Sequence, residues 1–512
     1  MPEPTRLLPQ YLTLLVAVPL LAAVLGGCAS APALPPVTPP SASAQALQHR
    51  RLSNPALQRF ITLQTGSPQP ADLPWDAHRL ALAALYFHPG MRVAQADLQL
   101  AEADLQTARQ WPNPQLQLGL KYNTAAALAA PSPWTVGAAI GLLLVSHAQR
   151  AAQTAQVRAG VRAARLMLSA SGWTVRSRVH LAFITLWAAE QDATLRRRLL
   201  NVQMEVQGRT AQRARAGAVS PLAAAQAEQA AQTAVLQLTQ AQGAVRSARA
   251  TLAAAVGVPE AALRDARLDF AALSNTPAMP DARRLAHWQT AALQNRADVR
   301  AAAAREQAAR AALQLALAQR DGGPPSIAPG FQRDQGANRL TADATLPLPL
   351  FNQHQGQIAA ARARLALRRA ELQQMQAGVL KQLEQAAAGL RTANAAQQEA
   401  QTLLRADQAL LRGTEHAQQD GWVGPLAVAL ARLRTLTAGR AVLQARAAQW
   451  QALARIENAV QQPLMSTAGM ARHDSAIPDL SAHLHTPSPS PSSSAEPTAW
   501  THRASAADPA HP

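Results

Sequence analysis

The distribution of proline constrains this chain more than any other feature. Of 36 prolines in 512 residues, none falls between Trp134 and Ser220 and none between Leu350 and Gly424. Proline costs roughly 3 kcal/mol inside a helix, so in a chain this rich in it the two voids mark helices. At about 1.5 Å per residue, a helix of about 65 to 70 residues reaches on the order of 100 Å, far beyond an ordinary globular helix. In the second void Leu383, Leu390, Leu404 and Leu411 fall on a seven-residue grid with Gln397 as its polar member, and Leu238, Val245 and Leu252 share such a grid in the first half of the chain. That period is the seam of a coiled coil.

Each void closes on a similar turn. Gly217-Ala218-Val219-Ser220-Pro221-Leu222 lines up with Gly421-Trp422-Val423-Gly424-Pro425-Leu426 at an offset of 204, and proline just inside a helix start suits Pro221 and Pro425. Further back, Ala83-Ala84-Leu85 with Met91-Arg92-Val93-Ala94 lines up with Ala291-Ala292-Leu293 and Val299-Arg300-Ala301-Ala302 at an offset of 208. Two markers at nearly one offset indicate a tandem duplication. Each repeat opens with a helical segment, Trp75 to Gln110 and Asp281 to Arg320, and Pro89-Gly90 breaks the first of them.

Between these segments and the voids the period changes to two. Gln115 to Asn123 sets Leu116, Leu118, Leu120 and Tyr122 against Gln117, Gly119 and Lys121, and Trp134 to Leu143 alternates likewise. In the second repeat a weaker run, Ile327 to Arg333, precedes Leu340 to Leu348. There Leu340, Ala342, Ala344, Leu346 and Leu348 share one face, with Thr341, Asp343, Thr345 and Pro347 on the other. Strands of this length with one apolar face suit a membrane-spanning barrel, with Thr341, Asp343 and Thr345 then facing the lumen. They equally suit a soluble hairpin with one buried face, and periodicity alone does not separate the two.

The organisation expected is a signal peptide at 1–27, a lipid anchor and flexible tether at 28–73 and a first repeat at 74–257, with strands about 114–143 and a helical hairpin at 146–257. A linker at 258–280 leads to a second repeat at 281–464, with strands about 326–349 and a hairpin at 353–462, and a disordered tail at 465–512. The apolar run Leu7 to Leu25 is interrupted by Pro9, Gln10 and Pro19, which fits an export signal better than a spanning helix. It ends in Leu25-Gly26-Gly27-Cys28-Ala29-Ser30, which looks like a bacterial lipobox, so Cys28, the chain's one cysteine, is the expected lipid attachment site. That single cysteine excludes an intrachain disulfide.

The formal charge of +18 comes mostly from arginines at helical spacing, without the aromatic interleaving of a nucleic-acid reader. No nucleotide-binding glycine loop, metal-ligand motif or His-Glu pair at the helical spacing of HExxH is present. His88, His147, His180, His287 and His354 stand alone, and the tail histidines His473, His483, His485, His502 and His511 have no ligand spacing. An enzyme, a cofactor and a bound metal are not expected.

Several segments carry a family resemblance: Ala83 to Leu98 (AALYFHPGMRVAQADL), Trp111-Pro112-Asn113-Pro114, the strand PWTVGAAI, Trp173-Thr174-Val175-Arg176, Asn295-Arg296-Ala297-Asp298-Val299-Arg300 and the corner LPLPLFN within Arg339 to Leu365. From about Pro74 to Leu464 the chain resembles the TolC-type outer membrane efflux proteins, especially their metal and multidrug branch. The resemblance implies a mainly α protomer with a membrane β-barrel, in which helix, β-hairpin, long helix and return helix occur twice. It implies a homotrimer, with a 12-stranded barrel in outer membrane lipid and a coiled-coil α-barrel in the periplasm. It further implies a passive exit duct for metal ions or drugs, working with an inner-membrane efflux pump and a periplasmic adaptor protein, with the two helical turns at the periplasmic tip. In the resembling lipoproteins an aspartate after the modified cysteine favours the inner membrane; Ala29 favours the outer one, with a palmitate-type anchor. Two departures stand out. Where relatives carry an acidic ring at the closed entrance this chain has Ala427 and Leu430, with Asp420 and Glu415 nearby, and Leu142 to Arg150 lacks the usual acidic and Gly-Lys-Arg stretch. The alternative reading is a periplasmic coiled-coil lipoprotein or adaptor without a channel, which would carry one helical hairpin rather than two.

Overall fold

The computed structural model describes residues 37, 39–66, 70, 73–124, 132–275, 277, 282–320 and 322–464. Cys28, the export signal and the tail histidines lie outside them. The chain divides after Arg50 into two units. In the first, helix α1 (Pro40–Gln48) starts on a proline and buries no residue.

The second unit begins with α2 (Pro55–Thr65). Asn54 caps it by accepting from the Ala56 N–H at 2.8 Å, and Gly66 ends it at φ 69°. Leu57, Phe60 and Ile61, at helical spacing, are buried, and the Phe60 ring lies 5.5 Å from that of Tyr86. The stretch 28–73 is therefore not a tether throughout. Its polar, proline-rich composition hides two short helices, and in α2 a single apolar face is enough to dock.

The first repeat comprises α3 (Ala77–Phe87), α4 (Pro89–Arg109), β1 (Gln115–Tyr122), β2 (Trp134–Leu143), α5 (His147–Arg215) and α6 (Pro221–Val256). Ser146 and Ser220 cap α5 and α6 with their side-chain oxygens. The connection holds α7 (Glu260–Arg264) and a 3-10 turn at Ala271–Ser274, and it is pinned where the Trp75 N–H donates to the Arg267 carbonyl at 2.7 Å. The second repeat follows as α8 (Ala282–Asn295), α9 (Ala297–Ala318), β3 (Ser326–Asp334), β4 (Ala337–Thr345), α10 (Gln355–Gln419) and α11 (Pro425–Val460).

The main core forms where Val175, Val179, Phe183, Leu186 and Trp187 of α5 meet Leu80 and Leu85 of α3 and Leu252 and Val256 of α6. A second cluster joins Leu383 and Leu390 of α10 to Ile456 and Val460 of α11, which places two leucines of the seven-residue grid in a helix-helix seam. Gln397 continues the grid as a buried polar residue, and the buried Gln449 of α11 donates to Asn394 Oδ1 at 3.1 Å. One strand differs from its expected range. Alternation runs from Leu340 to Leu348, yet β4 covers Ala337–Thr345. Pro347 and Pro349 supply no N–H to a ladder, while Gln335 and Gly336, both at positive φ, make the two-residue turn that starts the strand earlier.

Candidate functional site

The four strands form one antiparallel sheet in the order β1-β2-β3-β4. Its centre is the β2–β3 pair, which joins the two repeats through Val136 opposite Arg333 and Ala138 opposite Phe331. Pairing of β2 with β3 is interrupted opposite Pro329, which has no N–H, whereas β3 pairs with β4 along its whole length. Among the described residues neither β1 nor β4 has a partner on its outer edge.

Directly paired residues of antiparallel strands point to the same face, so the register sorts the side chains. Leu118, Ala138, Phe331 and Leu340 form one row across all four strands, and Leu120, Val136, Leu116 and Ile140 extend the same face. Tyr122 and Trp134 close one end of that face with ring centroids 4.8 Å apart. The opposite face carries Gln117, Gly137, Gly330, Thr341, Asp343 and Thr345. There Thr135 donates to Asp334 at 2.6 Å and Arg339 pairs with Asp334 at 3.0 Å. Apolar and polar faces are both open to solvent in the single chain, with Leu118 59% and Leu340 88% exposed. Leu346, which alternation assigns to the apolar face, lies past the strand in an exposed apolar stretch that runs to Phe351.

The turns between the long helices are two copies of one motif. After α5 the Ala218 N–H donates to the Arg213 carbonyl and the Gly217 N–H to the Ala214 carbonyl; after α10 Trp422 donates to Ala417 and Gly421 to Gln418. This is the Schellman pattern, which needs the left-handed conformation that Gly217 and Gly421 adopt at φ 71° and 81°. Pro221 and Pro425 then open α6 and α11. Leu222 and Trp422 are exposed, Val219, Val423 and Leu426 partly buried. Beside the second turn, Ala427 is partly buried and Leu430 is 45% exposed; Glu415 is paired with Arg432 at 3.4 Å.

Two polar clusters fix the helices. Arg176 of α5 donates from Nε to Glu457 Oε1 of α11 at 3.1 Å, and His180 Nδ1 lies 3.8 Å from the same oxygen. Burial holds the His180 imidazolium well below its ordinary pKa, and the charge of Arg176 and the nearness of His78 add to that. Arg296 uses its Nε and one terminal nitrogen for Asp298 at 3.0 and 2.6 Å, and the other for the Ala459 carbonyl at 2.8 Å and Gln382 at 3.2 Å. The motif Asn295-Arg296-Ala297-Asp298 is thus a clamp on the end of α11. Glu457 is missed by sequence reasoning; its one signal is that it is the single acidic residue of α11.

Among the described residues no helix is long and apolar enough to cross a membrane, which says nothing of the sheet, and no group of three or more His, Cys, Asp or Glu side chains converges.

The protomer is a duplicated unit that contributes a two-faced four-stranded sheet and two long helical hairpins. Solved structures match it: a membrane protein from Pseudomonas aeruginosa at 18% identity and TM-score 0.61, covering 75% of this chain and 92% of that one. The outer membrane protein VceC from Vibrio cholerae matches at 17% and 0.60, covering 75% and 95%. The CmeC outer membrane channel of Campylobacter jejuni matches at 14% and 0.59, covering 75% and 85%. Residues 81–258 match the model of the outer membrane efflux protein family. That match spans the first repeat, and the solved structures share the fold of the chain. No curated protein matches the sequence.

Proposed function

We propose that this protein is the outer membrane channel of an efflux system, a passive exit duct. The observation that carries this reading is the sheet with two unlike faces and two open edges. In lipid each unsatisfied backbone group costs several kcal/mol, so strands β1 and β4 must find partners on other copies of the chain. Two copies would give eight strands, whose interior side chains fill; three give twelve and leave a lumen. The reading is therefore a homotrimer in which β4 of one copy pairs with β1 of the next, as β2 pairs with β3 inside the chain. The face of Leu118 and Leu340 then meets outer membrane lipid, and Thr341, Asp343 and Thr345 line the water-filled side.

The hairpins α5–α6 and α10–α11 extend the duct into the periplasm. Their turns, with Gly217, Val219, Pro221 and Leu222 in one and Gly421, Val423, Pro425 and Leu426 in the other, are the surface for a periplasmic adaptor, which links the duct to an inner-membrane pump. Cys28 carries the lipid anchor. The cargo is the small toxic solute that the pump selects, a metal ion or a drug, and no step of conduction requires a catalytic residue. The test is the oligomeric state of the full chain extracted in detergent. A trimer whose electrophoretic mobility changes on heating is expected, and a monodisperse monomer without detergent would overturn the proposal.

A further inference from the structure

The net positive charge of this chain lies almost wholly in its four long hairpin helices. Helices α5, α6, α10 and α11 hold 27 basic and 10 acidic residues, a net of +17 out of the chain's +18. Helix α5 alone has twelve arginines against Glu190, Asp192 and Glu205. All three acids are already paired: Glu190 with Arg249 at 2.8 Å, Asp192 with both Arg196 and Arg440, Glu205 with Arg209 at 2.7 Å. In α11 five arginines face one acid, Glu457, which Arg176 engages. Arg158, Arg178, Arg197, Arg198, Arg213 and Arg215 have no acidic partner among the described residues. At the second turn Ala427 and Leu430 add no negative charge, and Glu415 is neutralised by Arg432.

Resting on the reading of these helices as the wall of a duct, we propose that the duct prefers anions, so that of the cargo classes named above it favours acidic drugs and metals carried as anionic species over bare metal cations. Glu228, Glu384, Glu399 and Asp407 are the acids of these helices without an ion pair among the described residues, and they leave the wall with a net positive charge. Such a wall concentrates anions in the space it encloses, and three copies of the hairpins triple the excess. Arginine keeps that charge at every physiological pH. Selectivity of this origin is screened by salt, because the Debye length falls from about 30 Å at 0.01 M to about 3 Å at 1 M.

The experiment is single-channel recording of the full chain in planar bilayers of neutral phosphatidylcholine under a tenfold KCl gradient. The expected zero-current potential gives a chloride-to-potassium permeability ratio above about 3 at low salt, falling toward 1 near 1 M. The double variant Arg197→Glu, Arg198→Glu, at exposed positions of α5, should lower the low-salt ratio at least about twofold, while Arg92→Glu on α4 should leave it unchanged. A ratio at or below 1 at low salt, or a ratio indifferent to the α5 variant, overturns the proposal and leaves the duct itself standing; the latter result would assign the arginines to an acidic partner protein instead. Trimers that insert but never conduct overturn the duct and the proposal together.

Discussion

The two repeats solve one packing problem with different chemistry. In each, the opening helical segment breaks in two, and the end of the return helix docks on the break. In the first repeat the docking residue is Gly257 at φ 83°, where a Cβ would lie 2.9 Å from His88 Cα and 3.0 Å from the Phe87 carbonyl oxygen. In the second, Gln461 takes the same place 204 residues on, at φ 53°, and its side chain accepts from the Ala297 N–H at 2.8 Å while Arg296 holds the Ala459 carbonyl. One junction is a backbone against a backbone; the other is a polar clamp. What the duplication preserves is the position of a helix end on a helix break, and residue identity is free to drift around it.

The comparison breaks most sharply at Arg296. Its side chain is 6% exposed and its partner Asp298 only 18%. Replacing Arg296 with methionine leaves Asp298 without its cation and α11 without its last carbonyl partner, at an expected cost of about 3–5 kcal/mol. Limited proteolysis of the detergent-solubilised protein should then cut first at the α8–α9 break, with the α3–α4 break still protected. Equal protection at both breaks would show that the clamp is redundant.

A slightly smaller effect separates the two hairpins of the sheet. The first presents leucine and valine along its apolar face; the second presents Pro329, Phe331 and Arg333 beside Asn338, Leu340 and Ala342. Leu118→Arg should therefore cost about 2–4 kcal/mol near the membrane midplane and block trimer formation, read by the heat-modifiable band. Asp343→Asn, on the opposite face, should leave assembly intact. The reverse outcome would exchange the lipid and water faces.

Next comes the glycine junction. Gly257→Ala forces a Cβ against backbone that has nowhere to move, at a positive φ, for about 1–3 kcal/mol in thermal unfolding. Gln461→Gly loses one hydrogen bond of about 1 kcal/mol and relieves a left-handed residue by a similar amount, so the melting point should scarcely change.

These junctions also mark how far the sequence could be read. The proline voids show α5 and α10 because proline acts on its own helix, the repeated turns ending in Pro221 and Pro425 show where α6 and α11 start, and period-two alternation shows four strands because pleating is local. Alternation alone carries β4 through Pro347, past the last residue able to pair, since the pattern reports side chains and not backbone donors. Helix α2 is hidden by the proline, serine and alanine around it. The clamps are harder still: Arg296 meets Ala459 across 163 residues and Arg176 meets Glu457 across 281. Nothing in a single sequence pairs such positions. The faces of Thr341, Asp343 and Thr345 could be read, but their neighbours across the sheet depend on the β2–β3 register, which only the fold supplies.

The smallest expected effect tests a contact that the first long helix has and the second lacks. Buried positions Val179 and Leu186 of α5 match Leu383 and Leu390 of α10 at the offset of 204, which sets Arg176, His180 and Glu457 against Leu380, Glu384 and Ala253. Only the first set forms a buried ionic cluster. His180 faces Arg176 from its own helix, Glu457 from α11 and His78 from α3, and its folded pKa is lowered. In the unfolded chain it takes up a proton near pH 6.5, while the folded form stays neutral. The unfolded state therefore binds more protons just below pH 6.5, and stability is present above that pH and lost as pH falls through it, by at most about 1.4 kcal/mol per pH unit. Thermal midpoints measured from pH 7.5 to 5 should fall for the wild type and fall less steeply for His180→Phe. If both slopes are the same, protons enter elsewhere, and the cluster of α5 and α11 serves only to align the two repeats, as uncharged packing does around Ala253.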